Sequence, residues 1–361
     1  MVHLSKVIIL SVLVLWLGMI HPVSAQSSCG DLSADDCDLL QTAQATTSNL
    51  SSATFQATIE ASLAFEFFGE LVTMRMVADG AYSRVSTDGV EIESDYLPLY
   101  ELNADMSVFV DIALSEFAMP ENNTLTTSLD LRYVDGVGYA DLSKLLPIIN
   151  PFFSEGGWYS VDVPEYTRRL MRDAALPSDF LSSSNIALAL DYWGSLVSGG
   201  STVTRLDDEQ IDNQTIAVFE NILLFDTFFD ENPFEEQLFI NLMDEFFQLQ
   251  YGGIYTDKEL RQSAVFYADL IRNAEIRMMQ RVGLEDGYVH QTYFALNFTP
   301  QTDETLNPDP LGLSLFNGAE FHFSLDFRYT QFEDVPLTIA PEDSTPVRYE
   351  DLFGPGDTSP F

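Results

Sequence analysis

Residues 55–67 read FQATIEASLAFEF, and apolar side chains alternate with polar ones along most of this stretch. A period of two is typical of a β-strand with one apolar face and one solvated face. The same alternation returns in the segments 72–76, 106–112, 125–133, 216–224 and 321–329. Strands of this one-sided kind predict an antiparallel sheet that buries a single face.

The connections between these segments predict one hairpin and two helices. Glu285-Asp286-Gly287 separates the strand-like runs 274–284 and 288–298, and Asp-Gly in that position is a strong hairpin signal. Asn232-Pro233 predicts the start of a helix, and Thr256–Glu259 is a capping box for a second one. We therefore predict an α+β fold: a large curved antiparallel sheet, or half-barrel, of about 10–11 strands, with helices covering its concave apolar face.

The N-terminus has the three parts of a secretory signal peptide. Lys6 precedes the apolar run Val7–Ile20, and the small-residue sequence Val23-Ser24-Ala25 follows. The apolar run is shorter than the ~20 residues that a bilayer-spanning helix needs. We expect residues 1–25 to be removed and the mature chain, without a transmembrane span, to act in the periplasm, at the cell surface or in the medium.

The mature sequence divides into a folded middle and two polar ends. Residues 51–341 form one predicted half-barrel domain, because no linker rich in Pro, Gly or Ser interrupts them. Residues 26–50 are small and polar, and 342–361 are acidic and Pro-rich; we expect both ends to be mobile tails. Cys29 and Cys37, a close pair in an exported chain, predict a disulfide. Acylation of Cys29, as in a bacterial lipoprotein, is the alternative.

The charge balance excludes polyanionic partners. The chain has 56 Asp and Glu against 16 Lys and Arg, a formal net charge of −40. Such a field repels nucleic acid and anionic lipid headgroups. The 46% hydrophobic content is nevertheless sufficient for a sizeable core.

The sequence shows no catalytic motif. A nucleophile elbow, a zinc-binding H-E-x-x-H helix, a phosphate loop and a dinucleotide-binding turn are all absent from it. His290 and His322 fall in predicted strands, where we interpret them as packed or solvated. The acid clusters at Asp207–Glu209, Asp230-Glu231 and Asp244-Glu245 lack the spacing of a calcium loop. We expect no catalytic residue, metal or cofactor, although two acids that meet across a sheet would be invisible in the sequence.

Residues 222–249 are rich in large apolar side chains. The helix predicted after Pro233 places several of them on one stripe. Either they pack in the core, or they form a lid over an apolar pocket on the concave face of the sheet. In the second case the predicted ligand contacts are Phe234, Leu238, Leu242 and Phe246 on the helix and Met74, Val108, Phe323 and Phe327 on the sheet.

Four short stretches resemble the LolA-like superfamily of exported bacterial proteins, and within it the LprG/LppX-type lipoproteins. They are YVDGVGY at 133–139, GGWYSVD at 156–162, the stretch from TRL at 204–206 to QTIAV at 214–218, and PLTIAP at 336–341. The resemblance implies a curved antiparallel half-barrel whose concave face, under helices, holds acyl chains of lipids or lipoproteins without catalysis. This sequence departs from the family in lacking a clear lipobox and in its acidic, Phe-rich insertion around 225–250.

Three functional hypotheses follow. In the first, the protein is a non-enzymatic carrier or sensor that binds a lipid, a lipid-modified molecule or another apolar ligand between sheet and helices. In the second, it is a cell-surface structural or interaction module with a filled core. In the third, it is a secreted hydrolase that works through carboxylates. A dry cavity would favour the first hypothesis, a tightly packed apolar face the second, and two close acids with one raised pKa the third.

Overall fold

The computed structural model describes residues 29, 31–65, 69–85, 102–114, 124–144, 157–166, 169, 201–211, 214–251, 253–299 and 318–347. The predicted signal peptide, 1–25, lies outside the described residues, and so does most of the predicted tail, 342–361. Within the described part of the chain, no helix is both long and apolar enough to cross a membrane.

The secondary structure follows the alternating pattern of the sequence. The strands are β1 (Ser52–Phe65), β2 (Gly69–Arg84), β3 (Leu102–Leu114), β4 (Thr124–Val134), β5 (Val137–Asp141), β6 (Trp158–Asp162), β7 (Ser201–Arg205), β8 (Glu209–Ile211), β9 (Gln214–Leu224), β10 (Glu275–Gly283), β11 (Val289–Phe298), β12 (Ala319–Phe332) and β13 (Thr345–Pro346). The helices are α1 (Ala34–Ser48), α2 (Phe225–Glu231), α3 (Pro233–Tyr251) and α4 (Asp257–Ile271).

All these strands belong to one sheet. Its order is β13-β6-β5-β4-β3-β2-β1-β12-β11-β10-β9-β7, with β8 paired to β9 beside this path. The pairs are antiparallel except β13 with β6. The predicted α+β class with a large antiparallel sheet is therefore confirmed. The sheet has 13 strands rather than about 10–11, and β8 and β13, of 3 and 2 residues, are too short for a periodic signal.

The predicted hairpin is also confirmed. β10 and β11 pair antiparallel, and residues 284–286 turn between them. Gly287 has a φ of +70°, a left-handed conformation that glycine adopts without steric strain. The Asp-Gly pair therefore provides the geometry that a tight connection needs.

The strand register places apolar side chains in rows that cross the sheet. Phe323 of β12 pairs with Ala61 of β1, and Ala61 pairs with Met74 of β2. Met74 pairs with Ile112 of β3, which pairs with Leu125 of β4. One face of the sheet, which we call the apolar face, is therefore apolar across these five strands, as the alternation predicts.

On the opposite face, polar side chains of neighbouring strands form hydrogen bonds with one another. Arg281 of β10 donates two hydrogen bonds to Glu209, at 2.8 and 3.1 Å, and one to Gln291 at 3.2 Å. Gln291 donates in turn to Asp326, which also accepts from Arg328 at 2.6 Å. The hydrogen bond from Arg281 lowers the pKa of Glu209. This network links strands β10, β11 and β12 with β8 on the polar face.

Helix α1 lies within the predicted N-terminal segment and packs against the sheet. The Ser33 side chain caps it by accepting a hydrogen bond from the backbone N–H of Asp36. Its Leu40 and Ala43 are fully buried in a cluster with side chains of β7, β9, β10 and β11 on the apolar face. Part of the polar segment 26–50 therefore contributes to the core.

The predicted disulfide between Cys29 and Cys37 is present. Cys37 lies in α1, so the bond connects the chain before this helix to the helix itself. With its sulfur in the disulfide, Cys29 has no thiol available for acylation. The structure therefore agrees with the disulfide and not with the lipid alternative.

Helices α3 and α4 begin where the sequence predicts. Helix α3 starts at Pro233. At the start of α4 the capping box is complete: Thr256 accepts from the backbone N–H of Glu259, and the Glu259 carboxylate accepts from that of Thr256 at 2.8 Å. These contacts satisfy N–H groups that have no partner within the helix.

Candidate functional site

The four sheet residues predicted as ligand contacts lie on the same face. Met74 and Phe323 flank Ala61 in one cross-strand row. Four residues further along each strand, a second row contains Phe327, Ala57, Ala78 and Val108. The structure therefore places Met74, Val108, Phe323 and Phe327 on the apolar face, in two rows in which alanines lie between the larger side chains.

Burial changes along this face. In the row with Val108, this residue and both alanines have exposed fractions of 1–2%, whereas Phe327 in the same row is half-buried. In the other row Met74, Ala61 and Phe323 are half-buried and Ile112 is 8% exposed, and every residue from Ala61 to Phe65 of β1 is half-buried. The apolar face is thus closed at one end and partly accessible at the other, which we call the half-open end.

Aromatic rings form the closed end. The ring of Phe55 stacks on Phe327 at 5.2 Å, and Phe327 contacts Tyr329 at 5.0 Å. Gly80 permits this arrangement, because a Cβ at that position would lie 2.7 Å from the Phe55 ring and 2.7 Å from the Asp105 carbonyl oxygen. In the sequence, the aromatic side chains of β12 and the glycine in β2 indicate this end. The predicted ligand contacts include only Phe327 of the residues named here.

Two buried tyrosines provide the polar groups of the closed end. The hydroxyls of Tyr82 and Tyr329 lie close enough for each to affect the pKa of the other. Burial raises the pKa of both hydroxyls, because the charged phenolate is poorly solvated there. Both hydroxyls are therefore neutral at physiological pH, and the positive charge of Arg84 lies near enough to lower both pKa values in part.

The hydroxyl of Thr127 is one of the polar atoms on the apolar face that have no partner among the described residues. Thr127 of β4 pairs with Val110 of β3, which pairs with Met76 of β2, in the row between the sealed and the half-buried ones. The side chain is 93% buried, from an exposed fraction of 7%, and its Oγ1 makes no hydrogen bond. A buried hydroxyl without a partner destabilises a fold by about 1–3 kcal/mol. Sequence reasoning did not identify this residue.

Helices α2, α3 and α4 cover another part of the apolar face with a filled core. Phe225, Phe228, Phe229, Phe239 and Phe247 are buried in one cluster with Leu260 of α4 and Leu223 of β9. Their rings contact one another with centroid distances such as 5.5 Å for Phe225–Phe229 and 6.0 Å for Phe229–Phe239. For these residues the core-packing interpretation of 222–249 is correct.

The helix residues predicted as ligand contacts lie elsewhere. Phe234, Leu238 and Leu242 have exposed fractions of 75%, 36% and 45%. They fall on the side of α3 opposite Phe239 and Phe247, which face the core. Phe246 belongs to α3, and its side chain lies outside the described residues. The three described residues therefore point away from the rows of the sheet that carry Met74 and Phe323.

A small cavity lies under helix α1. It has a volume of about 10 Å³ and is lined by Leu40, Val203, Phe219, Glu220, Asn221, Met278 and Gln280. Asn221 is buried and its Oδ1 has no hydrogen-bond partner, whereas Gln280 accepts from Gln44 at 2.7 Å. The volume suits about one water molecule, so this cavity is too small for an acyl chain.

Several titratable groups of the described residues pair with one another in structural contacts. His290 lies 2.8 Å from Asp286 in the β10–β11 hairpin, and His322 lies 2.7 Å from Asn297 on the polar face. Arg272 binds Asp230 and Glu236, and Arg261 binds Asp244. No group of three or more metal-ligating side chains occurs in the described part. The chemistry that the apolar face offers is the binding of an apolar surface.

Comparison with known proteins gives structural likenesses only. No family model and no curated protein matches the chain. Among solved structures it is similar to LprF from Mycobacterium bovis, at 9% identity over 86% of this chain and 97% of that one, with a TM-score of 0.33. It is also similar to the lipoprotein LppX from Mycobacterium tuberculosis, at 8% identity over 83% and 96% with a TM-score of 0.28. A DUF1329 family protein from Desulfovibrio piger follows at 9% identity over 83% and 92%, with a TM-score of 0.17. All three TM-scores are below 0.5, so the function is argued from the side chains of this chain.

Proposed function

We propose that this protein is exported and binds a lipid or another apolar ligand at the half-open end of its sheet, as a non-enzymatic carrier or sensor. The observation that carries the proposal is the change of burial along one apolar face. The face is sealed around Val108 but half-buried around Met74 and Phe323. A ligand that covered the half-buried side chains would remove their remaining apolar surface from water.

The available energy suits an acyl chain. Each CH₂ group removed from water contributes about 0.8 kcal/mol, so eight such groups would contribute about 6 kcal/mol before the entropic cost of association. Ala61 lies between Phe323 and Met74 in the half-buried row. Its side chain is smaller than those of its two neighbours in the row.

Thr127 supports a ligand that also carries a hydrogen-bonding group. Its buried Oγ1 lacks a partner among the residues that the structure describes, and it lies one row from Met74 on the same face. An ester carbonyl or a hydroxyl at the end of an acyl chain would complete this hydrogen bond. Pairing a buried hydroxyl in this way stabilises a complex by about 0.5–1.5 kcal/mol.

The proposed location rests on two features. The predicted signal peptide directs the chain out of the cytoplasm, and the Cys29–Cys37 disulfide is of a kind that persists in oxidising compartments.

A structural or interaction module is the second candidate. The observation that favours it is the filled cluster of Phe229, Phe239 and Leu260, which shows that helices of this chain can seal part of the apolar face completely. In that case the half-open end would bind no ligand in solution.

Native mass spectrometry of residues 26–361, secreted from a bacterial host and purified without detergent, separates the two candidates. The carrier predicts an apolar molecule bound at fixed stoichiometry and recovered by lipid extraction. Ala61→Phe should fill the space beside Met74 and abolish binding. Ala113→Phe is the matched control, because Ala113 pairs with Thr73 and Thr124 on the polar face. An apo mass after incubation with mixed lipids, or equal retention by both variants, would contradict the carrier.

A further inference from the structure

Helix α3 has an apolar stripe on its solvent-exposed side. We call Phe234, Leu238 and Leu242 the outer stripe. They are spaced four residues apart, so their side chains stack along one side of the helix over about 12 Å. Their exposed fractions are 75%, 36% and 45%. The opposite side of α3, with Phe239, Ile240 and Phe247, provides the buried contacts that hold the helix to the protein.

The surroundings of the outer stripe are acidic. Residues 225–251 contain seven carboxylates and no Lys, Arg or His. Glu235 precedes Leu238 by three residues and Glu245 follows Leu242 by three, so both lie beside the stripe on α3. Glu231, just before the helix, is exposed as well.

The nearby cations do not neutralise these acids. Arg272 is engaged by Asp230 and Glu236, and Arg261 by Asp244. Glu231, Glu235 and Glu245 make no ion pair in the described part of the chain. The outer stripe is therefore an apolar strip bordered by negative charge.

The charge selects the kind of partner. A second copy of the chain would bring another net charge of −40 and an equally acidic border against the stripe. An anionic membrane surface would be repelled for the same reason. We infer that the outer stripe docks an amphipathic helix of a partner protein whose apolar side chains are flanked by Lys and Arg. Apolar contact then provides affinity, and the carboxylates provide orientation and a fast encounter.

The test uses the chain 26–361 and two synthetic helical peptides of equal length, one of Leu and Lys and one of Leu and Glu. Any cationic peptide is attracted to so acidic a protein. The informative quantity is therefore the loss of peptide affinity that is caused by changing the outer stripe. At physiological salt, Leu238→Ser with Leu242→Ser should weaken the Leu/Lys peptide about tenfold, as expected for apolar anchors at the centre of an interface. Glu231→Gln with Glu235→Gln should weaken it by about two- to fivefold and reduce its salt dependence.

Leu337→Ser with Ile339→Ser is the matched control. These two residues are exposed, at 64% and 77%, in the segment after β12, and their replacement should leave peptide binding within about twofold of wild type. Circular dichroism of each variant verifies that the fold is retained. Equal binding of the two peptides, or equal weakening by the stripe and control variants, would overturn the inference. Stripe-dependent self-association in sedimentation, or stripe-dependent binding to phosphatidylcholine vesicles in preference to the peptide, would overturn the assigned partner.

Discussion

Two regions of the same apolar face differ in how they are covered. Under α2, α3 and α4, Phe229 and Leu260 are buried almost completely, at 1% and 0% exposure. At the half-open end, Met74 and Phe323 have the same apolar chemistry but are half-buried. The strands beneath both regions, such as β9 under the helices and β2 at the half-open end, show the same two-residue alternation. Apolarity therefore identifies the buried face of a sheet, whereas the elements packed against it decide which part is core and which part is accessible.

The comparison predicts unequal costs for the same substitution. Phe229→Ala should lower the free energy of unfolding by about 3–5 kcal/mol, because it leaves a cavity in a filled cluster. Phe323→Ala removes a side chain that is already partly hydrated and should lower it by less than about half as much. Urea unfolding of both variants measures the difference. Equal losses would mean that the half-open end is packed as tightly as the core.

A second prediction concerns the closed end. Gly80→Ala should lower the free energy of unfolding by about 1–3 kcal/mol, because the new methyl group would meet the Phe55 ring and a backbone oxygen. Gly253→Ala is the control, since a Cβ there meets nothing within 4 Å. Thermal unfolding of the two variants provides the measurement. A stable Gly80→Ala protein would show that the aromatic rings can move aside.

The third prediction tests Thr127. Thr127→Val removes the unpaired hydroxyl and should raise the free energy of unfolding of the ligand-free protein by about 1 kcal/mol. Thr126→Val, on the polar face, removes a hydroxyl that donates to Asp111 at 3.0 Å and should not stabilise. Affinity is measured alongside: a fatty-acid ester should bind Thr127→Val more weakly than wild type, and an alkane of equal length should not. Destabilisation by Thr127→Val would mean that its hydroxyl already has a partner in solution.

The smallest effect concerns pH at the closed end. Tyr82 and Tyr329 have folded pKa values above the ordinary value of 10.0. Their contribution to stability is therefore complete below pH 10 and is lost as the pH rises above it. At pH 10.5 the loss should be at most about 0.8 kcal/mol for each tyrosine, the limit that the unfolded-state pKa alone sets. Urea midpoints measured between pH 8 and pH 10.5 should fall less steeply for Tyr329→Phe than for wild type. Identical slopes would show that neither hydroxyl is buried in solution.

The sequence predicts the sheet well because strand periodicity is a local property. The alternation in 55–67 and 321–329 specifies which side of each strand is apolar, and the Asp-Gly and Thr256–Glu259 signals specify where the chain turns and where a helix starts. The sheet half of the candidate site follows from the same pattern. Met74, Val108, Phe323 and Phe327 share a face because each occupies an apolar position of its strand.

The helix half of the site could not be predicted in this way. Helix α3 is apolar on two sides, with Phe239 and Phe247 on one and the outer stripe on the other. Composition does not show which side faces the sheet, because that depends on how α2 and α4 position the helix. The unpaired hydroxyl of Thr127 could not be predicted for a similar reason. Whether it has a hydrogen-bond partner depends on side chains that are distant in the sequence.

The two-residue strand β13 has a consequence for the behaviour of the protein at high concentration. An open sheet presents unpaired backbone groups at its edges, and such edges are templates for pairing with other molecules. Thr345 and Pro346 lie along β6, and the next residue, Val347, donates to the Ser160 carbonyl oxygen at 2.8 Å. Pro346 has no N–H to offer to a further strand. In the described part of the chain, this three-residue segment thereby covers part of β6 and offers few backbone groups to which a further strand could pair.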